Sequence, residues 1–488
     1  MLVLKMKTSE EYKESLKKMR PNIYKFGELI TDVTTNPATR RCVEGHAKIY
    51  EAAQNPEHMD VVVTTSHLTG EKISRYLSLV KSAEEMIANS ELKRTMFNLT
   101  GTCTGGRCVG WTSINAMWAV TYDMDKKLGT NYNMKMKDWL RKAQAEDIAL
   151  AGAMTDPKGD RTLHPSKQED PDMYLHVVEE NDNSIVVRGA KIMIAGVAAA
   201  NEIFVLPGMR HGEPDKDYAV SFAIPRDING LTIVEATHPS DRRELEEKGF
   251  DIPTKTGITQ AYLFFENVLV PKERVFMCKE YEYSLDGVMN FIMPYRSAIG
   301  GCVAGQGDVM IGAATLAARA NGLSETVFRE NLTRMAINNE TTFGMGIAAA
   351  AIGKKHPSGI WLCNPLLSNV NKVHVASMPY ETKVLTQDIC GGIGETGCMP
   401  SSADFYHEKY GKFVQKYLKA AASAEARARI ARLIEWLTVG AGIPGCLHGG
   451  GSPGGAKLII WREIDLERFV SSAKDLAGVK EELPSPRK

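Results

Sequence analysis

The hydrophobic period of this chain changes twice along its length, and that switch limits the architecture more than any single motif. From about residue 8 to 145 apolar side chains recur at helical spacing, opening with a capping start at Ser9–Met19 and returning around 70–98, with a turn at Val33–Pro37 between them. From about 172 to 276 the period falls to two, in Tyr174–Val178, Ile185–Arg188, Ile203–Leu206, Tyr218–Ile224 and Ala261–Phe265, separated by turn clusters such as Asn181-Asp182-Asn183. After Pro271 the helical period resumes, near 307–322, 327–353, 366–390 and 423–440. Helices, strands, helices is the order. It predicts a mainly α protein with a middle antiparallel β domain, divided as a helical domain over 1–145, a β domain over 146–276 and a helical domain over 277–488. A doubly wound sheet would instead alternate strands and helices singly.

At 488 residues the chain exceeds what one hydrophobic core serves, so two or three domains are expected. The 59 basic and 59 acidic side chains cancel, which removes the usual electrostatic argument for nucleic acid or an anionic membrane surface and leaves small molecules as the expected partners. No segment approaches the roughly 20 apolar residues of a membrane span. A cytoplasmic location follows as an expectation, with nine cysteines read as reduced thiols or metal ligands rather than a disulfide framework.

Four segments carry candidate chemistry. Thr100–Gly110 (TGTCTGGRCVG) sets Cys103 and Cys108 close together in a glycine-rich turn before a helical run, a pair that fits either iron ligation or two ordinary buried thiols. Cys302 follows a Gly-Gly pair that reads as the start of a long helix, where a thiolate would be favoured. The other six cysteines read as small core residues. Met154–Arg161 (MTDPKGDR) joins the first helical region to the strands and fits either a flavin or phosphate contact or a charged connector. His448–Gly455 (HGGGSPGG) lets backbone approach a ligand closely, or serves as plain linker. Neither it nor Gly391–Gly397 follows a strand and opens a helix as a dinucleotide fingerprint does.

In order and in content, Arg20–Glu28, Met154–Arg161, Ile185–Lys191, Asp215–Ala223, Phe265–Val268, Gly300–Cys302, Gly307–Ala314 and His448–Pro453 resemble the 4-hydroxybutyryl-CoA dehydratase/vinylacetyl-CoA isomerase family, within the 4-hydroxyphenylacetate 3-hydroxylase superfamily, over nearly the whole chain. The resemblance implies an acyl-CoA-dehydrogenase-like fold, a homotetramer, and FAD between the middle domain and the C-terminal helices, with Thr155, Asp156, Lys158, Arg161 and Lys191 as its contacts. It also implies a [4Fe-4S] cluster on Cys103, Cys108 and Cys302, and a site lined by Tyr295, Arg296 and His448. The substrate it implies is a hydroxyacyl-CoA or enoyl-CoA.

The chain departs from that pattern at chemically important positions. Four residues rather than three separate Cys103 from Cys108, and Tyr295 stands at the position of the histidine ligand. By the same matching Gln260 replaces a glutamate, Ala195 a threonine, Ile299 the catalytic tyrosine, Val303 a lysine and Gly445 a second glutamate. General acid–base groups contribute about 10²–10⁴-fold each, so dehydratase chemistry does not transfer unchanged. Three readings remain: a dehydratase or isomerase with an altered cluster, a monooxygenase using reduced flavin, and a non-catalytic flavin-binding paralogue.

Overall fold

The computed structural model describes residues 6–238, 241, 249–439 and 447–481. The first helix, Ser9–Lys17, starts where the sequence signals it: Thr8 accepts from the Glu11 amide while the Glu11 carboxylate accepts from the Thr8 amide, a reciprocal cap. Two longer helices, Ala83–Thr100 and Gly105–Leu128, carry the N-terminal core with Tyr132–Ala145 packed beside them. The 70–98 stretch is helical only in its second half. It begins with the short strand Lys72–Ser74 and a 3₁₀ turn at Arg75–Leu77.

The middle region differs from the expected antiparallel sheet in two ways. It holds two sheets, one six-stranded in the order Glu28–Ile30, Ile23–Lys25, Leu231–Glu235, Gln260–Pro271, Ser184–Ala195, His176–Glu180, and one four-stranded in the order Val275–Cys278, Val220–Pro225, Glu202–Val205, Leu150–Ala153. Each also contains one parallel pair, Ile23–Lys25 beside Leu231–Glu235 and Leu150–Ala153 beside Glu202–Val205. Both parallel strands arrive from outside the period-two window, through long connections of the kind parallel pairing requires. The sheets face each other across Ile185, Val187, Leu263 and Phe265 on one side and Ile203, Val205, Phe222 and Ile224 on the other, all buried.

The C-terminal region is organised by one 37-residue helix, Ser284–Ala320, which packs against Ala83–Thr100, Gly105–Leu128, Arg329–Ala351, Pro365–Val375 and Met378–Cys390. It is longer than the run near 307–322, because Pro294, Gly300 and Gly301 read as breakers but lie inside it. The glycines permit close crossings. A Cβ at Gly301 would strike the Ser90 carbonyl, one at Gly300 the Thr342 carbonyl, and one at Gly305 the Arg94 carbonyl at 2.6 Å.

Candidate active site

Three chain segments meet where Ala83–Thr100, Gly105–Leu128 and Ser284–Ala320 cross. The first ends on Gly101 at φ +67°, whose carbonyl accepts from Trp436 Nε1 at 2.8 Å. Thr104 is the N-cap of the next helix but spends its hydroxyl on Tyr76 OH (2.8 Å), so no side chain caps the first amides. That helix begins with two glycines for steric reasons: a Cβ on Gly105 would meet Ile258 at 2.9 Å, and one on Gly106 the Ala195 carbonyl at 2.9 Å. Cys103 therefore lies just ahead of a helix N-terminus and Cys108 in its first turns.

Cys302 lies close to both Cys103 and Cys108, so the three cysteines are brought together, with the Cys302 and Cys108 thiols donating to the Ile299 and Gly105 carbonyls at 3.3 Å each. The helix-terminal position assigned to Cys302 is corrected, since it sits in the interior of Ser284–Ala320 and Cys103 holds the terminal place. Cys103 and Cys302 are half-buried and Cys108 is buried. The Cys103 hydrogen bond draws the Cys302 thiol below its ordinary pKa against the opposing effect of burial, with the Lys93 charge assisting. Burial pushes Cys108 up to about 11. Of the cysteines read as core residues, Cys42, Cys278 and Cys363 are buried and Cys390 half-buried, whereas Cys398 is exposed; Cys446 and Gly445 lie outside the described residues.

Lys93, on Ala83–Thr100, was not visible as a site residue in the sequence. It is 3% exposed, with its ammonium 5.3 Å from the Trp111 ring centre and 5.6 Å from that of Tyr295. One turn earlier the Asn89 amide is fully buried with neither polar atom hydrogen-bonded, and the Trp111 Nε1 is likewise unpartnered. In the sequence Lys93 stands in Glu91-Leu92-Lys93-Arg94, which reads as a solvated helix face; only the crossing helices bury it.

Tyr295 stacks on Phe291 (5.6 Å, 16°), and a Cβ on Gly450 would lie 2.7 Å from its ring, so the glycine-rich turn packs directly against the phenol. Two buried cations fix that turn. Arg296 Nε donates to the Gly450 carbonyl at 2.9 Å and its Nη1 to Asn369, while Lys372 Nζ donates to the Leu447 and Gly449 carbonyls at 3.1 and 2.7 Å. Burial lowers Arg296 to about 10. The structure thus joins Tyr295 and Arg296 to the cysteine neighbourhood. His448 contributes its backbone to the turn, but its side chain is exposed.

The replaced positions are packed rather than reactive. Ile299 and Val303 are buried in an apolar cluster with Phe97, Ile252 and Trp436. Gln260 and Ala195 are cross-strand partners at the ends of their strands.

The Met154–Arg161 loop leaves the strand Leu150–Ala153, which lies against Val109 and Gly110, the residues after Cys108. Lys191 holds it from beneath, its ammonium donating to Asp156 Oδ1 (2.5 Å), the Met154 carbonyl (3.1 Å) and the Leu206 carbonyl (3.0 Å). All three donors are thereby spent on protein. Thr155 is half-buried, while Lys158 and Arg161 are exposed. Behind the loop His211 is buried with Nδ1 unpartnered, held down to about 4 by burial, and its amide donates to Ser284 Oγ (2.9 Å) at the start of the long helix. A second feature lies beyond the Thr100–Thr104 segment: a cleft of about 440 Å³ lined by Thr34, Thr35, Arg40, Lys48, Thr254 and Lys255 among others. Thr254 Oγ1 donates to the Thr100 carbonyl (3.2 Å), joining the cleft to the segment that carries Cys103.

The family profile described as 4-hydroxyphenylacetate 3-hydroxylase N terminal matches residues 8–277, and the corresponding C terminal profile matches 287–478. The chain belongs to this family. Within the family it is 38% identical to the 4-hydroxybutyryl-CoA dehydratase/vinylacetyl-CoA-Δ-isomerase of Clostridium aminobutyricum, covering 97% of this chain and 99% of that one. It is 26% identical to the 4-hydroxyphenylacetate 3-monooxygenase oxygenase component of Thermus thermophilus, over 87% and 86%. Among solved structures, an oxygen-tolerant archaeal 4-hydroxybutyryl-CoA dehydratase from N. maritimus superposes with a TM-score of 0.94 at 34% identity, covering 99% and 97%. A hydroxylase oxygenase component, HpaB, complexed with FAD shares the fold at a TM-score of 0.83, 22% identity and 97% and 100% coverage. The likeness to acyl-CoA dehydrogenases expected from the sequence is weak by comparison. Among the described residues no helix is long and apolar enough to cross a membrane.

The two cofactors of the resemblance fare differently. For FAD the residues fit: an ion-paired loop presents Thr155 and two exposed cations, with an unpartnered buried imidazole nitrogen behind it. For [4Fe-4S] the three cysteines are brought together, but the fourth position offers a phenol rather than an imidazole. Among the described residues no group of three His, Cys, Asp or Glu side chains is placed to hold a metal ion.

Proposed function

We propose that this chain is an FAD-dependent enzyme acting on a CoA thioester, a hydroxyacyl-CoA or enoyl-CoA, in a lyase or isomerase reaction related to that of 4-hydroxybutyryl-CoA dehydratase, working as a homotetramer. The observation that carries it is the 38% identity to the dehydratase over 97% of the chain, joined to a flavin-type loop held rigid by Lys191. Bound FAD supplies an electron or hydride acceptor next to the acyl chain. Thr155 orients its polar edge, and Lys158 and Arg161 neutralise its phosphates. Asp156 and Lys191 keep the loop in place without touching the ligand. Arg40, Lys48 and Lys255 in the cleft hold the phosphates of the CoA, which directs the acyl end toward the Thr100–Thr104 segment. Tyr295 is the proton-carrying side chain left beside Lys93, and Arg296 positions it through the Gly450 turn.

A reduced-flavin monooxygenase is the second reading, favoured by one observation: the family's catalytic tyrosine and lysine positions are buried apolar residues here. Anaerobically purified protein, assayed with 4-hydroxybutyryl-CoA and vinylacetyl-CoA by chromatography, and separately with reduced flavin, oxygen and 4-hydroxyphenylacetate, separates the two. Conversion of a CoA ester without oxygen supports the first reading. Oxygen-dependent hydroxylation alone replaces it with the second, and a folded protein that binds no flavin overturns both.

A further inference from the structure

Four lysines are buried among the described residues, and three of them spend their ammonium groups on oxygen: Lys25 on Asp241, Lys191 on Asp156 and two carbonyls, and Lys372 on the Leu447 and Gly449 carbonyls. Lys93 meets only ring faces, those of Trp111 and Tyr295 at 5.3 and 5.6 Å. We propose that Asn89, Lys93 and Trp111 form an oxyanion site that binds the thioester carbonyl oxygen of an acyl-CoA, a reading that rests on the CoA-ester function proposed above.

The three side chains belong to one place. Asn89 and Lys93 stand one turn apart on the same face of Ala83–Thr100, and the Lys93 ammonium joins that face to Trp111 on Gly105–Leu128. Both polar atoms of the Asn89 amide and the Trp111 Nε1 are fully buried without a hydrogen-bond partner. Folded chains pair nearly all such groups, because a buried donor left unmade loses its hydration with nothing in return. The neighbours that would satisfy them are already taken. Ser90 Oγ donates to the Met86 carbonyl (3.5 Å), and the Asn115 amide donates to the Ser78 and Trp111 carbonyls (3.0 Å each) and accepts from the Val80 amide (2.8 Å). An ammonium, a carboxamide and an indole N–H left without an acceptor define their ligand, an oxygen that carries negative charge or gains it during reaction.

The position suits a thioester. Lys93 precedes Thr100 by seven residues, about 10 Å along the helix, and the Thr100 carbonyl is where Thr254 ties in the basic cleft assigned to the CoA phosphates. The pantetheine arm runs from the cleft to the site. In surroundings closed to water, a cation held against the carbonyl polarises it and stabilises charge on its oxygen as an α-proton leaves, which a dehydration or double-bond shift in an acyl thioester requires.

Butyryl-CoA and S-butyl-CoA share chain length and nucleotide, and only the first has the carbonyl. Their affinities for full-length, flavin-loaded protein are measured by calorimetry for the parent, Lys93→Met and Asn89→Leu. The carbonyl stretch of isotope-labelled butyryl-CoA is recorded by infrared difference spectroscopy on the same three proteins. The parent is expected to bind butyryl-CoA about tenfold tighter than the thioether, with the stretch moved to lower frequency. Both variants bring the preference close to one and return the stretch toward its solution value, leaving S-butyl-CoA affinity unchanged. Urea titration without ligand separates binding from packing: removing an uncompensated buried charge raises the midpoint of Lys93→Met. A lowered midpoint with the carbonyl preference retained makes Lys93 a packing residue and overturns the proposal. Equal affinity of the parent for the two ligands also overturns it, the polar groups then holding water alone, while the CoA reading stands. If the parent binds neither ligand, the CoA reading itself fails and the site falls with it. The comparison on the parent decides even where a variant does not fold.

Discussion

Glu235 ends the strand Leu231–Glu235 with its carboxylate inside the protein, 4% exposed, where neither oxygen has a hydrogen-bond partner of normal length and the Thr259 hydroxyl lies nearby. Lys25, whose charge acts on it, is committed to Asp241 at 2.5 Å. Burial raises Glu235 to about 7 from 4.5. The folded state therefore binds a proton that the unfolded state has released between those two values, and stability attributable to this residue is present below about 4.5 and lost as pH rises through 7. The shift corresponds to roughly 3 kcal/mol at most. Glu235→Gln is expected to raise the denaturation midpoint at pH 8 and leave it nearly unchanged at pH 4.5, measured by urea titration at both. His46, buried with Nε2 unpartnered and held down to about 4, works in the opposite sense, its stability being lost as pH falls below 6.5. The two partly cancel between pH 4.5 and 6.5, so the single variant is required to expose either. Leu231, Ile233 and Glu235 alternate onto one face, which puts a carboxylate on the core side; the period-two segments read from the sequence did not include this strand. Lys93 gave no such signal, because its burial depends on a helix about 200 residues away.

At the scale of elements, the long helix shows why sequence punctuation misled. Pro294 removes one backbone donor, and Gly300 and Gly301 weaken local helical preference, so the run was cut near 307. What keeps the helix whole is the close approach of its neighbours, which those same glycines allow. Gly301→Ala gains about 1 kcal/mol of helical propensity but sets a methyl group against the Ser90 carbonyl, an overpacking that costs about 1–3 kcal/mol or more. Net destabilisation is expected. Gly312→Ala, on the exposed face of the same helix with nothing near its Cβ, is the control, and it should stabilise by up to about 1 kcal/mol. Parallel denaturant titrations of the two variants check both signs. The Met154–Arg161 loop is a second element whose geometry rests on one contact. Lys191→Met leaves Asp156 buried without its cation, a change of about 3–5 kcal/mol when the pair is broken. Lowered flavin content in the purified variant, read from absorbance per subunit, is the expected result, with Lys158→Met affecting affinity but not folding.

Over the whole molecule, the sequence order of helices, strands and helices was readable because period changes are local, whereas the division into two sheets and their parallel pairs was not, since Ile23–Lys25 and Leu150–Ala153 join strands far along the chain. The candidate site obeys the same rule. Cys103 and Cys108 announced themselves as a pair, while Lys93, Lys372 and the Arg40–Lys255 cleft acquire meaning only when distant segments converge. That cleft yields the last prediction. Glu44 is paired with Lys13, but the cleft still carries Arg40, Lys48 and Lys255 beside three threonines, a donor set suited to the phosphates of a CoA ester. Lys48 also pairs with Glu51 on an exposed face, so its contribution is screened and modest. Lys48→Ala and Lys255→Ala should each weaken a CoA ester by about 3- to 10-fold at low salt, less at 0.5 M salt, without changing flavin content. Calorimetry with the CoA ester and with the matching pantetheine ester, which has the same acyl end but lacks the nucleotide, assigns the loss. If the cleft holds the phosphates, the pantetheine ester binds parent and variants equally. An equal loss for both esters would mean that the lysines shape the acyl site instead, and the cleft would then have no part in recognising CoA.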